Sequence, residues 1–194
     1  MRRGYLFACS LLLLGGLAAC SGPAIYNYDY DVAYSRGEVL FASMSKPIRV
    51  EAFGQLKPGP ALEGGALASA VAHGLRRSGP QWFRARYTAD DAVESSDRRY
   101  KLRWLFNVPT IFHTRGACAD DVAGMAADWR EATGLFVAAF CRNERSLTWA
   151  RGSIAGIESV TSAEFYRIVG ATGHLLLPPR NPVLDDDCSV STCD

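Results

Sequence analysis

Six cysteines, three histidines and a scatter of carboxylates are the residues of this 194-residue chain with the reach to do chemistry. The thiols contain no Cys-x-x-Cys pair, so neither a zinc knuckle nor a thioredoxin-type redox couple is spelled out. Cys118 lies close in sequence to His113, the one histidine in a loop-like stretch, and a thiolate with a neighbouring base is a nucleophile. A disulfide at Cys118 would remove that nucleophile. His73 and His174 fall beside core positions of two helical stretches and read as structural. Glu51 and Glu164 stand apart, so no carboxylate pair suited to general acid–base work is set by spacing. Asp120, Asp121 and Asp128 share one irregular stretch but lack the spacing and closing Glu of an EF-hand loop. There is no Gly-x-Ser-x-Gly elbow, His-Glu-x-x-His, phosphate-binding loop or dinucleotide fingerprint. The sequence predicts a non-catalytic protein with no metal and no cofactor.

Cys20 stands in a different setting from the other thiols. Arg2 and Arg3 precede an apolar run, Tyr5 to Leu14, that is too short to span a bilayer as an ordinary transmembrane helix. Small residues then lead through Leu17-Ala18-Ala19 into Cys20, and polar Ser21-Gly22-Pro23 follows. This arrangement resembles the lipobox of bacterial lipoproteins. The resemblance implies that residues 1–19 are a signal peptide and that Cys20 becomes the diacylglycerylated first residue of the mature chain. A second or third acyl chain turns marginal membrane binding into stable anchoring, at about 0.8 kcal/mol per buried methylene. Ser21 is not the Asp that favours inner-membrane retention in Gram-negative lipoproteins. The resemblance therefore implies an outer-membrane address facing the periplasm. Losing Arg2 and Arg3 takes the formal charge from +1 to about −1, which argues against a nucleic-acid partner.

With Cys9 in the signal and Cys20 acylated, Cys118, Cys141, Cys188 and Cys193 remain. An even remainder in an exported chain reads as two disulfides, and three pairings are open. Cys118–Cys141 with Cys188–Cys193 is favoured, because the second pair closes a short Ser-Val-Ser-Thr loop.

The elements that must position these groups follow from periodicity. Residues 20–46 read as a lipidated N-terminus and tether, with Tyr26, Tyr28 and Tyr30 alternating with Asn27, Asp29 and Asp31; in an extended chain the three rings share one side. That segment reads either as an edge strand or as an aromatic surface for a glycan or partner. A strand is predicted over Ile48–Phe53. A helix over Ala61–Arg77 carries Leu67, Val71 and Leu75 on one face. Two period-2 segments, Phe83–Tyr87 and Tyr100–Phe106, turn their aromatics inward. If they pair as a hairpin, Arg84, Arg86, Arg99, Lys101 and Arg103 form a cationic outer face, read either as a solvated sheet face neutralised by nearby acidic residues or as a docking surface for an acidic partner or a phosphorylated envelope component. A short surface helix is expected around Val122–Trp129. Strands follow over Leu135–Cys141 and Leu147–Ile154, then a helix opened by the capping box Thr161-Ser162-Ala163-Glu164. The tail, residues 181–194, is acidic and expected to be mobile.

Together these elements predict an α+β domain over residues 47–180, a mostly antiparallel sheet of about five strands with two helices on one face. The hairpin carrying Leu147-Thr148-Trp149 and Gly152, followed by a closing helix, resembles small periplasmic lipoproteins of the envelope-assembly and transport-accessory type. The expected function is a membrane-anchored accessory or structural component that binds an envelope protein. The alternative is a periplasmic glycan- or lipid-binding module.

Overall fold

The structure is a computed structural model that describes residues 22–44, 46–56, 64–90, 92–93, 99–129 and 133–185. Its centre is a six-stranded sheet. In chain order the strands are β1 (Ala24–Tyr30), β2 (Ile48–Gly54), β3 (Tyr87–Thr88), β4 (Tyr100–Phe106), β5 (Leu135–Arg142) and β6 (Arg145–Ser153). The helices are α1 (Arg36–Ser43), α2 (Gly64–Ser78), α3 (Val122–Ala127), α4 (Ala163–Leu176) and the single turn α5 (Pro182–Asp185). A 3₁₀ turn over Thr114–Cys118 joins β4 to α3.

Across the sheet the order is β1-β6-β5-β4-β2-β3. The first three pairings are antiparallel, whereas β2 runs parallel to both β4 and β3. The sheet is therefore mixed, with one strand more than expected. The physical reason is α2: a helix between β2 and the next strands returns the chain to the same end of the sheet, and such a crossover makes a parallel neighbour.

The expected hairpin between Phe83–Tyr87 and Tyr100–Phe106 does not form. Phe83 and Tyr87 are buried as their period predicts, yet only Tyr87–Thr88 enters the sheet, beside β2 and not β4. Trp82 explains part of this. Its ring lies 4.4 Å from that of Phe83 and its Nε1 donates to Leu177 O at 2.8 Å. The segment is thus held by its side chains rather than by a ladder of backbone bonds.

Two apolar clusters sandwich the sheet. The larger packs Ile48, Leu102, Trp104, Phe106, Phe136 and Phe140 against Leu67, Val71 and Leu75 of α2 and Phe165, Ile168 and Val169 of α4. The two helices meet closely, because a Cβ on Gly170 would collide with Ser78. Helix α4 opens on Ser162, whose Oγ accepts from Phe165 N at 3.1 Å, so the cap sits one residue later than the Thr161 box implied. Its C-terminal carbonyls are satisfied from three elements. Thr148 Oγ1 donates to Leu176 O at 2.7 Å, Trp82 to Leu177 O, and Tyr34 OH to Pro178 O at 2.5 Å.

The smaller cluster lies on the opposite face, where Ala117, Cys118 and Val122 cover Leu105, Val137, Ala139 and Cys141.

The expected boundary at residue 47 is corrected at its N-terminal side. β1 is a full member of the sheet, and α1 docks through Glu38. That carboxylate accepts from Tyr100 OH and from Arg142 Nη1, the latter at 2.6 Å. The other boundary also shifts, since Asn181 Nδ2 donates to Asp31 O at 3.1 Å and Tyr34 O at 3.0 Å. Among the described residues no helix is long and apolar enough to cross a membrane.

Candidate functional site

Of the predicted site residues, Cys20, Cys188 and Cys193 lie outside the described residues. Cys118 and Cys141 are joined by a disulfide, with Cα atoms 5.6 Å apart, and both are fully buried in the smaller cluster. Bonded this way, Cys118 has no thiolate to offer His113, which stands exposed at the start of the 3₁₀ turn. His73 is exposed on α2 with its ring 5.1 Å from that of Tyr166, and His174 is exposed in the last turn of α4. Among the described residues no three His, Cys, Asp or Glu side chains gather as a metal site.

The five cations do not form one face. Arg84 and Arg86 are exposed beside β3, at the far edge of the sheet. The Arg99 guanidinium packs over the rings of Phe41 and Tyr100, 5.9 Å from each. Lys101 and Arg103 point into the opposite face, where β2 presents Glu51 directly beside Arg103. Arg103 Nε meets Glu51 Oε2 at 2.6 Å, and its Nη1 donates to Ala119 O at 2.6 Å and Ala117 O at 3.4 Å. Only 4% of Arg103 is exposed. Lys101 Nζ sits 4.0 Å from Glu51 and 3.9 Å from Asp120. β4 places Lys101 and Arg103 on one side as its alternation predicts, but that side is covered by the 3₁₀ turn, and Glu51, isolated in sequence, is the counter-ion. Arg103 is thus corrected from a docking residue to an interior brace.

What the structure leaves open is β1. It pairs with β6 on one side only, and its other side is an edge of the sheet. Tyr26 and Tyr28 are 56% and 51% exposed. The three tyrosines do not form one row, because the register shifts between Ile25 and Asn27 and takes Tyr26 out of step. Tyr28 and Tyr30 do neighbour each other, edge to face at 5.8 Å. From Tyr30 the rings continue inward to Tyr34 at 6.5 Å and from there to Phe140 at 6.5 Å. Burial pushes the Tyr30 hydroxyl up from its ordinary pKa, with the neighbouring Tyr28 adding to it, and burial does the same more strongly to Tyr34.

Where β1 ends, a cleft of about 350 Å³ opens between the β1–α1 corner, the β5–β6 hairpin and the 3₁₀ turn. Trp149 lines it together with Asp29, Asp31, Arg115, Glu144 and Arg145, while the Tyr30 ring turns to the other face of the sheet, towards Tyr34. Asp31 is held there by Arg145, whose Nη2 and Nε reach its two oxygens at 2.6 and 3.0 Å. That pair of hydrogen bonds lowers the Asp31 pKa below the ordinary carboxylate value, against a smaller opposing effect of burial. Spacing could not have shown this cleft, because its walls come from three separate stretches of chain.

No protein-family model matches the chain, and no curated protein matches it. Among solved structures, a dodecamer of a PelC variant from Paraburkholderia phytofirmans is similar over 79% of this chain and 98% of that one, at 14% identity and a TM-score of 0.39. A likeness this loose assigns the chain to no family and to no activity.

Proposed function

We propose that this chain is a lipid-anchored, non-catalytic accessory protein of the cell envelope, facing the periplasm from the outer membrane, and that its protein partner engages along β1. The observation that carries this reading is the open edge of β1, seven residues long and beginning four residues after Cys20. A strand edge offers a row of backbone donors and acceptors to an added strand, and exposed tyrosines beside it supply contact area at low entropic cost. The opposite edge, β3, is only two residues long and offers no comparable template. The partner surface thus moves from the cationic face expected from the sequence to the tyrosine-bearing edge.

Site-specific photo-crosslinking in native membranes tests this reading. A benzophenone side chain at Tyr28 should give one adduct of defined mass, and the same group at exposed Arg77 on α2 should give none. A Tyr30→Pro substitution that leaves the fold intact should abolish the adduct, since the N–H of Asp31 bonds β6 and that of Tyr30 lies on the open side, where proline removes a donor. Equal labelling from both positions, or none from Tyr28, would contradict it.

The cleft favours a second reading, in which the protein holds a glycan. An indole among side chains of both charges suits a polar, ring-shaped ligand better than an acyl chain. Titration with chito-oligosaccharide should then shift the Trp149 Nε1 resonance and leave that of Trp104 in place.

A further inference from the structure

The direction of β1 orients the whole domain. Cys20 precedes Ala24 by four residues, and a chain of that length reaches at most about 14 Å. The start of β1 is therefore tied close to whatever surface holds Cys20. Pairing propagates that constraint across the sheet. Ala24 sits opposite Ser153, Ser153 opposite Leu135, Phe136 opposite Phe106, and Phe106 beside Gly54. These residues form one end of the sheet. Tyr30, the Arg142–Arg145 hairpin and Tyr100 form the other, and β1 separates the two ends by about 20 Å.

The near end carries an unusual side chain. Ile111 is 87% exposed, the most exposed large apolar residue among the described residues. It stands on the loop after β4, and that loop is braced. Arg151 of β6, two residues from Ser153, donates to the carbonyls of Thr110 at 2.7 Å, Phe112 at 3.3 Å and Pro109 at 3.4 Å. Phe112 anchors the loop further, its ring 5.4 Å from that of Trp129. A guanidinium and a half-buried aromatic thus fix the backbone on both sides of an isoleucine left almost wholly exposed. Tyr26, six residues after Cys20, is the exposed aromatic of the same end of β1.

We infer that this end is a lipid-contacting surface: Ile111 enters the membrane leaflet that holds the Cys20 lipid, Tyr26 lies at headgroup level, and the cleft beside Trp149 faces away from the membrane. Isoleucine partitions into hydrocarbon and tyrosine favours the interface. A lipid surface fits better than a protein groove because the covalent anchor already holds this end near lipid. The inference rests on the lipid-anchor reading of Cys20. It makes the acyl group and Ile111 two separated attachment points, so the domain stands in one orientation instead of pivoting about its N-terminus.

Spin labelling of the full, acylated protein in phosphatidylethanolamine–phosphatidylglycerol vesicles tests it. A nitroxide at Ile111→Cys should be relaxed by oxygen more than by a water-soluble nickel chelate, whereas one at Glu144→Cys should show the reverse. With the label at Thr110→Cys, adding Ile111→Asp should restore access of the nickel chelate while the protein still floats with the vesicles. Protein that floats with its label at 111 as water-accessible as that at 144 would overturn the orientation alone. Protein that lacks the diacylglyceryl mass at Cys20 would overturn the anchor and, with it, the orientation. Protection of the label in native membranes but not in protein-free vesicles would assign the tip to a protein and likewise overturn the proposal.

Discussion

Arg103 Nε lies 2.6 Å from Glu51 Oε2 while the same guanidinium holds Ala119 O at 2.6 Å, so one side chain ties β4 to β2 and the covering turn to both. Removing it leaves Glu51 without its nearest partner and takes the guanidinium donor from Ala117 O and Ala119 O. Arg103→Ala should therefore cost about 3 kcal/mol in urea unfolding, whereas Arg84→Ala on the exposed segment should change stability by less than about 0.5 kcal/mol. Similar losses for the two would show that Arg103 is not an interior brace.

The disulfide secures the same turn at the same point, linking Cys118, which lies between Ala117 and Ala119, to Cys141 across a separation of 23 residues. Replacing both cysteines by Ala should cost about 3 kcal/mol, chiefly by freeing the unfolded chain. Because Arg103 and the disulfide restrain one segment, their effects should not add, and a double-mutant cycle should return a non-zero coupling. Strict additivity would indicate that the two restraints act independently on the turn.

The parts of this fold that the sequence spells are those whose periodicity matches their burial. β4, β5 and β6 alternate or run apolar as their positions require, and α2 and α4 carry clear apolar stripes. β1 was harder to read, because an edge strand with a bulge needs only Ile25 and Tyr30 against the core and leaves its remaining residues exposed. The Phe83–Tyr87 segment differs in the opposite sense: its side chains alternate in burial, although its backbone bonds run to β2 and within the segment and form no hairpin ladder with β4. The Glu51–Arg103 ion pair joins residues 52 apart, and only the parallel placement of β2 beside β4 brings them together. The cleft was illegible for the same reason, since charge and aromatic content converge there only through the register of β1 on β6.

That register depends on a missing side chain. A Cβ at Gly152 would strike Ala24 O and the ring of Phe136. Gly152→Ala should loosen the start of β1 and destabilise the domain by about 1–3 kcal/mol. Amide exchange should accelerate at Ala24–Asn27 more than in β5. Unchanged protection there would mean that β1 tolerates displacement and does not set the orientation of the domain.

Asp31 gives the cleft a pH signature. Its carboxyl titrates below the ordinary Asp value of about 3.9 because Arg145 binds the charged form. A lowered folded pKa contributes stability that is present above the ordinary value and is lost as pH falls through the folded one. In Arg145→Ala the Asp31 midpoint, followed by carboxyl carbon NMR, should rise towards 3.9. The stability deficit of this variant at neutral pH should shrink once the medium is more acidic than the wild-type midpoint. A midpoint that does not move would mean that Arg145 does not hold the carboxylate in solution.

Acylation of Cys20 is the premise of both the membrane address and the orientation, and metabolic labelling with a fatty acid tests it most directly. The wild-type chain should incorporate label and sediment with membranes, and Cys20→Ala should do neither. Label in both proteins, or in neither, would contradict the account.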